Sequence, residues 1–255
     1  MKFINIVNQA MKPSRGYTMI KKVFKRFLDK RGQLSKEDLN VWLKTNKISF
    51  EKIAINLNQD LWEESIEVSE TIKANAAKRL SEIEFNLGGG GIYPLLTFLV
   101  RHLKPKVVVE TGVAAGFSSY AILESMNHNK SGELFSSDFP YFRLPNPERF
   151  IGIIVPDNLK YNWSLYVEGD ENNLPKIVSQ IESIDIFHYD SDKSYSGRKY
   201  AFDIVEPKMK KNGLLIMDDI QDNSFFYDYI TFKKINEYYI FEFEGKYVGL
   251  IGKLS

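Results

Sequence analysis

An apolar, β-branched run that halts at a carboxylate and turns on glycine constrains this chain more than any other feature. Val107-Val-Val-Glu-Thr-Gly-Val-Ala-Ala-Gly116 leads through Gly112 and Gly116 into Phe117-Ser-Ser-Tyr-Ala-Ile-Leu-Glu124, a stretch of helical character. This is the first strand–turn–helix unit of a nucleotide-binding α/β domain. Glycine reaches turn conformations closed to other residues and lets a backbone come close to a ligand.

From Lys106 onward, strand-like and helix-like segments alternate. The expected strands are Val107–Glu110, Glu133–Asp138, Ser164–Glu168, Ile184–Tyr189 and Gly213–Asp218, with helices near 117–127, 171–182 and 196–210. Alternation of this kind predicts a doubly wound, mostly parallel sheet. Tyr238–Glu244 and Tyr247–Lys253 read as a hairpin around Gly245, so a seven-stranded sheet finished by a terminal antiparallel strand is the expected α/β architecture. Residues 1–87 form a helical N-terminal appendage and 88–255 the ligand-binding domain. Asp60 is placed to cap a helix reaching about Ile83. The run Leu87-Gly-Gly-Gly-Gly-Ile-Tyr-Pro94 is either a joint between the two parts or a loop lying against a ligand, and Pro94 starts a helix through His102.

Ligands of open α/β sheets bind beyond the carboxyl ends of the strands. Every one of the five expected strands ends on or beside an acid: Glu110, Asp138, Asp170, Asp190 and the pair Asp218-Asp219. Glu110 would repel a pyrophosphate but accept a cationic amino-acid group, which implies a ligand closer to S-adenosylmethionine than to NAD. A dinucleotide would also want a third glycine in the turn. Asp138 lies 22 residues after Gly116, a spacing suited to accepting ribose hydroxyls. Ser118 opens the following helix beside the same turn. Asp170 either caps its helix or lies beside the adenine.

A second constellation, Phe187-His-Tyr-Asp-Ser-Asp-Lys-Ser-Tyr195 with Met217-Asp-Asp-Ile220, brings Asp190, Asp218 and Asp219 to neighbouring strand ends. Three carboxylates repel one another unless a cation intervenes, and oxygen ligands suit Mg²⁺, Mn²⁺ or Ca²⁺. Caps or salt-bridge partners are the alternative reading. Asp192 and Lys193 are candidate proton acceptors; Lys193 would need its pKa lowered to serve. His188, inside a strand, reads as a packing residue. The segment Phe139–Trp163, with Phe139, Tyr141, Phe142 and Trp163, is either a lid or a loop whose aromatics pack it onto the core.

These motifs resemble the class I S-adenosylmethionine-dependent methyltransferases, through Glu110–Gly116 and Asp138. The segment from His188 to Tyr195 with Asp218-Asp219 is similar to a metal-dependent branch that methylates sugar hydroxyls of antibiotics (macrolide and aminocoumarin tailoring enzymes). The resemblance spans roughly residues 88–253. It implies Asp190, Asp218 and Asp219 as Mg²⁺ ligands, Asp192 as the base and direct methyl transfer to an oxygen, with Lys193 standing where many relatives have histidine. The acceptor it implies is a glycan or other small molecule. Two rivals have other expectations: an NAD(P)-dependent oxidoreductase, and a non-catalytic interaction module keeping the fold.

Composition narrows the classes. A net charge of +1 gives no global drive toward nucleic acid. Zero cysteines exclude disulfides, thiolate metal sites and cysteine nucleophiles. No apolar run approaches the ~20 residues of a bilayer span, and lysines interrupt the N-terminal segment where a secretory core would lie. The expected setting is the cytoplasm. Residues 1–31 hold nine Lys/Arg against one acid, Asp29. They read either as a solvated helix face or as a patch for an acidic surface, and the N-terminal helices as a surface for self-association.

Overall fold

The computed structural model describes residues 32–141 and 144–254, together with Met11, Gly16 and Asp29. The basic stretch at the start of the chain and the aromatic Phe142 therefore lie largely or wholly outside the described residues.

Seven strands form one sheet: β1 Val107–Thr111, β2 Glu133–Ser137, β3 Trp163–Tyr166, β4 Ile184–Tyr189, β5 Met209–Met217, β6 Tyr238–Phe243 and β7 Lys246–Ile251. Their order is β3-β2-β1-β4-β5-β7-β6. β1 to β5 pair in parallel, whereas β7 pairs antiparallel with both β5 and β6. The order reverses at β1/β4, so a crevice is expected beyond the carboxyl ends of those two strands.

The helices are α1 Lys36–Asn46, α2 Phe50–Leu80, α3 Tyr93–Leu103, α4 Phe117–Asn129, α5 Asp170–Gln180, α6 Tyr195–Val205 and α7 Phe225–Lys233. They cover both faces of the sheet. One core joins α2, α3 and α4 to the sheet through residues such as Trp62, Ile72, Phe98, Leu99, Ile122 and Ile216. The other lies under α5 to α7 around Leu174, Phe187, Phe202 and Phe226. Both cores reach into the N-terminal segment, the first through Ala54, Trp62, Ile72 and Ala76, the second through Leu39 and Leu43. Ile48 also donates its N–H to the Ile240 carbonyl of β6, at 2.9 Å.

α2 breaks at Asn58, whose φ of −167° and ψ of 97° are not helical. Its side-chain oxygen accepts the Leu61 N–H at 3.0 Å. The cap of the second half is thus Asn58, two residues before the expected Asp60. α3 begins with Pro94 in its first turn, as its fixed φ favours.

Candidate functional site

The strand ends on either side of the crevice are sewn together by backbone hydrogen bonds. Gly112 N–H donates to the Ser137 carbonyl at 2.9 Å, Asp190 N–H to Thr111 at 3.0 Å, and Asp218 N–H to Tyr189 at 2.9 Å. Gly112 and Gly116 have φ of +82° and +104°. A Cβ at Gly112 would collide with the Asp190 carbonyl, and one at Gly116 would press on Gly152. The close approach these glycines allow is thus to neighbouring protein backbone as well as to the turn's open side.

Asp138, just past β2, lies over this turn. Its carboxylate accepts the Ala114 N–H at 2.8 Å and the Phe139 N–H at 2.6 Å. Burial, opposed by those two N–H groups and reinforced by Asp170 and Glu110, pushes its pKa up to about 7. Asp170 is the first residue of α5, directly after the N-cap Gly169. Its carboxylate accepts the Ser137 hydroxyl at 2.7 Å and the Ser191 hydroxyl, tying β2 to the loop after β4. Asn173, one turn on, donates to Ser137 Oγ, the Asp138 carbonyl and the Tyr166 carbonyl. A run of asparagines gave no hint of that clasp.

Glu110 departs from the expectation of a carboxylate open to a cationic ligand. It is fully buried. Ser119 and Ser136 donate to its Oε2 at 2.6 and 2.8 Å. Burial alone would raise its pKa, but the charge of His188 and the hydroxyls of Ser118 and Ser119 hold it below the ordinary value. Ser118, at 4 % exposure, thus turns toward Glu110.

His188 is the main residue the sequence reading misjudged. It has no exposed surface, and its Nδ1 and Nε2 lie 3.8 Å from Glu110 and from Asp218. At that distance neither contact is a hydrogen bond. The ring is held between two carboxylates by charge. Desolvation works against the imidazolium, yet the two acids outweigh it and raise the pKa to about 10. The signal was available: β1 and β4 are neighbours, and the register sets Glu110 directly beside His188.

Asp190, Asp218 and Asp219 do come to adjacent strand ends, but their carboxylates do not share a point. Asp218 turns inward to His188, beneath Gly91, where a Cβ would strike it. Asp190 and Asp219 both bind Lys193, whose Nζ is 2.5 Å from Asp190 Oδ1 and also donates to Asp219 Oδ2. The other Asp219 oxygen accepts from Gln221 at 3.0 Å and faces Lys246 Nζ at 3.5 Å. Among the described residues, no group of three or more His, Asp or Glu is arranged to hold a metal ion. An ammonium stands where the expected ion would stand, so this donor set does not fit Mg²⁺ as it is arranged.

The candidate bases also move. Asp192 Oδ1 accepts the Ser194 N–H at 3.0 Å, and its carboxyl lies against Gly197 at the start of α6. It holds the N–H of Ser194, the residue that caps α6. For Lys193, burial favours the neutral amine, but Asp190 and Asp219 prevail and raise the pKa. That is the opposite of what a lysine base requires. Asp190 is held up at about 6 by burial and by Asp218, against Lys193 and His188. Arg198 was not singled out by sequence. It is fully buried and donates to the Asp219 carbonyl at 2.7 Å, supporting a turn in which Asp219 has φ +55°.

The segment after Asp138 packs down. Gly152 and Ile154 donate to the Ala114 and Ala115 carbonyls, Trp163 Nε1 donates to Ser136, and Tyr141 donates to the Leu87 carbonyl. The backbone of Gly152 and Ile154 thus fastens this segment to the glycine turn, while Trp163 ties it to β2 and Tyr141 to Leu87. In the four-glycine run, a Cβ on Gly88 or Gly89 would meet open space, whereas Gly90 and Gly91 press on Phe117 and Asp218. After this run, Ile92 and Pro94 line a cavity of ≈ 510 Å³ together with Phe50, Trp62 and Phe243 and the charged Lys47, Glu51 and Glu242.

Residues 109–220, which hold every acid of this rim, match the profile of a family described as a methyltransferase domain. Those residues are similar to a methyltransferase domain. The fold agrees. The O-methyltransferase TomG from Streptomyces achromogenes, involved in tomaymycin synthesis and solved with S-adenosylmethionine, superposes with a TM-score of 0.56 at 12% identity, over 77% of this chain and 99% of that one. An O-methyltransferase from Bacillus cereus, solved with S-adenosylhomocysteine, gives 0.54 at 15% identity, over 83% of this chain and 100% of that one. At such identities the likeness is one of fold. No curated protein matches this chain in sequence. None of its described helices is long and apolar enough to cross a membrane.

Proposed function

We propose that this chain transfers the methyl group of S-adenosylmethionine to a hydroxyl of a small molecule. The observation that carries the reading is Asp138. Its carboxylate is fixed by two N–H groups directly over the Gly112–Gly116 turn, beyond the strand pair where the sheet order reverses. Such a carboxylate accepts the two hydroxyls of a ribose, and the turn leads into the N-terminus of α4, where the adenosine side of a ligand finds backbone donors. The two neighbours bound to S-adenosylmethionine and its product support this choice of donor.

The bound donor would supply an electrophilic methyl on a sulfonium. The chain's own residues do the rest. Glu110, with Ser119, Ser136 and His188, forms a rigid buried floor behind the turn. Asp190, at the β4 end, is a partly desolvated carboxylate placed to receive the proton a hydroxyl loses. The cavity lined by Ile92 and Pro94 has the size of a small-ligand site, and its walls combine the rings of Phe50, Trp62 and Phe243 with the charges of Lys47, Glu51 and Glu242. A sugar hydroxyl and a phenol both meet this chemistry.

Calorimetry with S-adenosylhomocysteine and NAD tests the donor. Binding of the first and not the second is expected, and binding of NAD alone would end the reading. Radiolabelled methyl transfer over sugars and phenols then sorts the acceptors.

A further inference from the structure

We propose that the Lys193 ammonium, clamped between Asp190 and Asp219, is the resident cation of the acceptor side of this site, so that the chain polarises a hydroxyl without a divalent ion. The inference deepens the methyl-transfer reading and rests on it.

Four observations converge. Lys193 Nζ bridges one oxygen from each of two strand ends, the position a metal would take between them. Both oxygens of Asp219 already have cationic or N–H partners, Lys193 on Oδ2 and Gln221 with Lys246 on Oδ1, so an ion would have to compete with them. Asp218, the third would-be ligand, faces the opposite way, onto His188. Finally, the loop that presents Lys193 is fixed on both sides. Asn223 Nδ2 donates to the Lys193 carbonyl at 2.7 Å, and the Tyr189 hydroxyl donates to the Asp192 carbonyl at 2.7 Å.

An ammonium has three N–H donors, and two are spent on the carboxylates. The side chain is 37% exposed, so the third can be given to an acceptor oxygen. Held there, the oxygen gains a positive neighbour that stabilises the charge it develops, the service a divalent ion renders elsewhere. The bookkeeping of atoms closes. The acceptor oxygen forms the new O–C bond as the C–S bond of the sulfonium donor breaks, leaving its electron pair on sulfur. The hydroxyl proton passes to the Asp190 carboxylate, and Lys193 keeps its own protons throughout.

The test is Mn²⁺ titration of the full chain, read by loss of the free-ion electron paramagnetic resonance signal. The wild type should show no saturable site up to about 1 mM, the weak limit of oxygen-ligand sites. Lys193→Met, which frees both carboxylates, should gain a site at least tenfold tighter, lost again on adding Asp219→Asn. Millimolar Mg²⁺ should raise the melting temperature of Lys193→Met and leave that of the wild type unchanged. Saturable Mn²⁺ binding by the wild type that disappears in Asp219→Asn would overturn the proposal, as would a folded Lys193→Met that gains no site. If Lys193→Met does not fold, Lys193→Gln and the wild-type titration decide the matter. S-adenosylhomocysteine calorimetry on the same preparations separates the two claims. A wild type that ignores both the nucleoside and the metal loses the methyl-transfer reading while its lysine-for-metal geometry stands.

Discussion

Donor binding should depend on pH through Asp138. The carboxyl is buried enough to be raised to about 7, and ribose hydroxyls need it ionised to donate to it. Below that midpoint the ligand must first expel a proton. Each unit of pH then costs about 1.4 kcal/mol, a tenfold loss of affinity. Asp138 keeps some exposed surface, so solvent screening reduces the full effect. Between pH 8 and pH 6 the expected weakening of S-adenosylhomocysteine binding is about three- to tenfold. Calorimetry in buffers of different ionisation enthalpy should also show protons released on binding near pH 6. Asp138→Asn should bind more weakly and without this pH dependence. A dissociation constant that stays flat from pH 8 to pH 5.5 in the wild type, or a slope that survives in Asp138→Asn, would refute the assignment.

The same shift has a sign for stability. The folded chain holds the Asp138 proton up to about 7, whereas the unfolded chain gives it up near 3.8. Across that window the folded form binds more protons, so its stability contribution falls as pH rises and levels off above about 7. Asp170 and Glu110 face the same carboxyl and reinforce the effect, so the comparison that isolates it is wild type against Asp138→Asn, not wild type alone.

Three further outcomes are expected. His188→Asn removes an imidazolium whose folded pKa is raised to about 10. The wild type should therefore lose stability as pH climbs from neutrality toward 10, and the variant should show less of that loss in thermal melts at matched pH. Gly91→Ala puts a methyl into the space of Asp218 Oδ2 and should destabilise the fold by about 1–3 kcal/mol in urea unfolding, whereas Gly89→Ala, facing open space, should not. Arg198→Met removes the charged donor that supports the Asp218-Asp219 turn and should cost about 3 kcal/mol. A melting temperature within a degree of wild type would show that the turn stands without it.

The strands, their parallel order and the terminal hairpin were legible because each leaves a local mark: β-branched runs, glycine turns and acids at regular intervals. The long β5 was read short, as Gly213–Asp218, because its first half, Met209-Lys-Lys-Asn212, is polar and exposed and offers no apolar run to recognise. The cap at Asn58 was missed because Asp60 competes with it two residues on, and only the backbone angles decide between them. Arg198 and Asn173 left no mark at all. Their work is to satisfy carbonyls brought near by tertiary contacts between distant segments, and no spacing rule encodes that.

The acids after β5 show the limit most plainly. Adjacent in sequence, Asp218 and Asp219 invite a reading as twin ligands of one ion. Yet successive residues along an extended chain point to opposite sides. Asp218 continues that alternation inward, to the buried imidazolium, while Asp219, at φ +55°, turns toward the lysines. Two neighbouring carboxylates thus serve two separate cations, His188 behind the sheet rim and Lys193 in front of it. The lysine at 193 was the departure that the sequence displayed from the pattern it resembles. If an ammonium there replaces the metal, substitution and rearrangement are a single change: once Lys193 neutralises Asp190 and Asp219, Asp218 is released to hold His188 over Glu110.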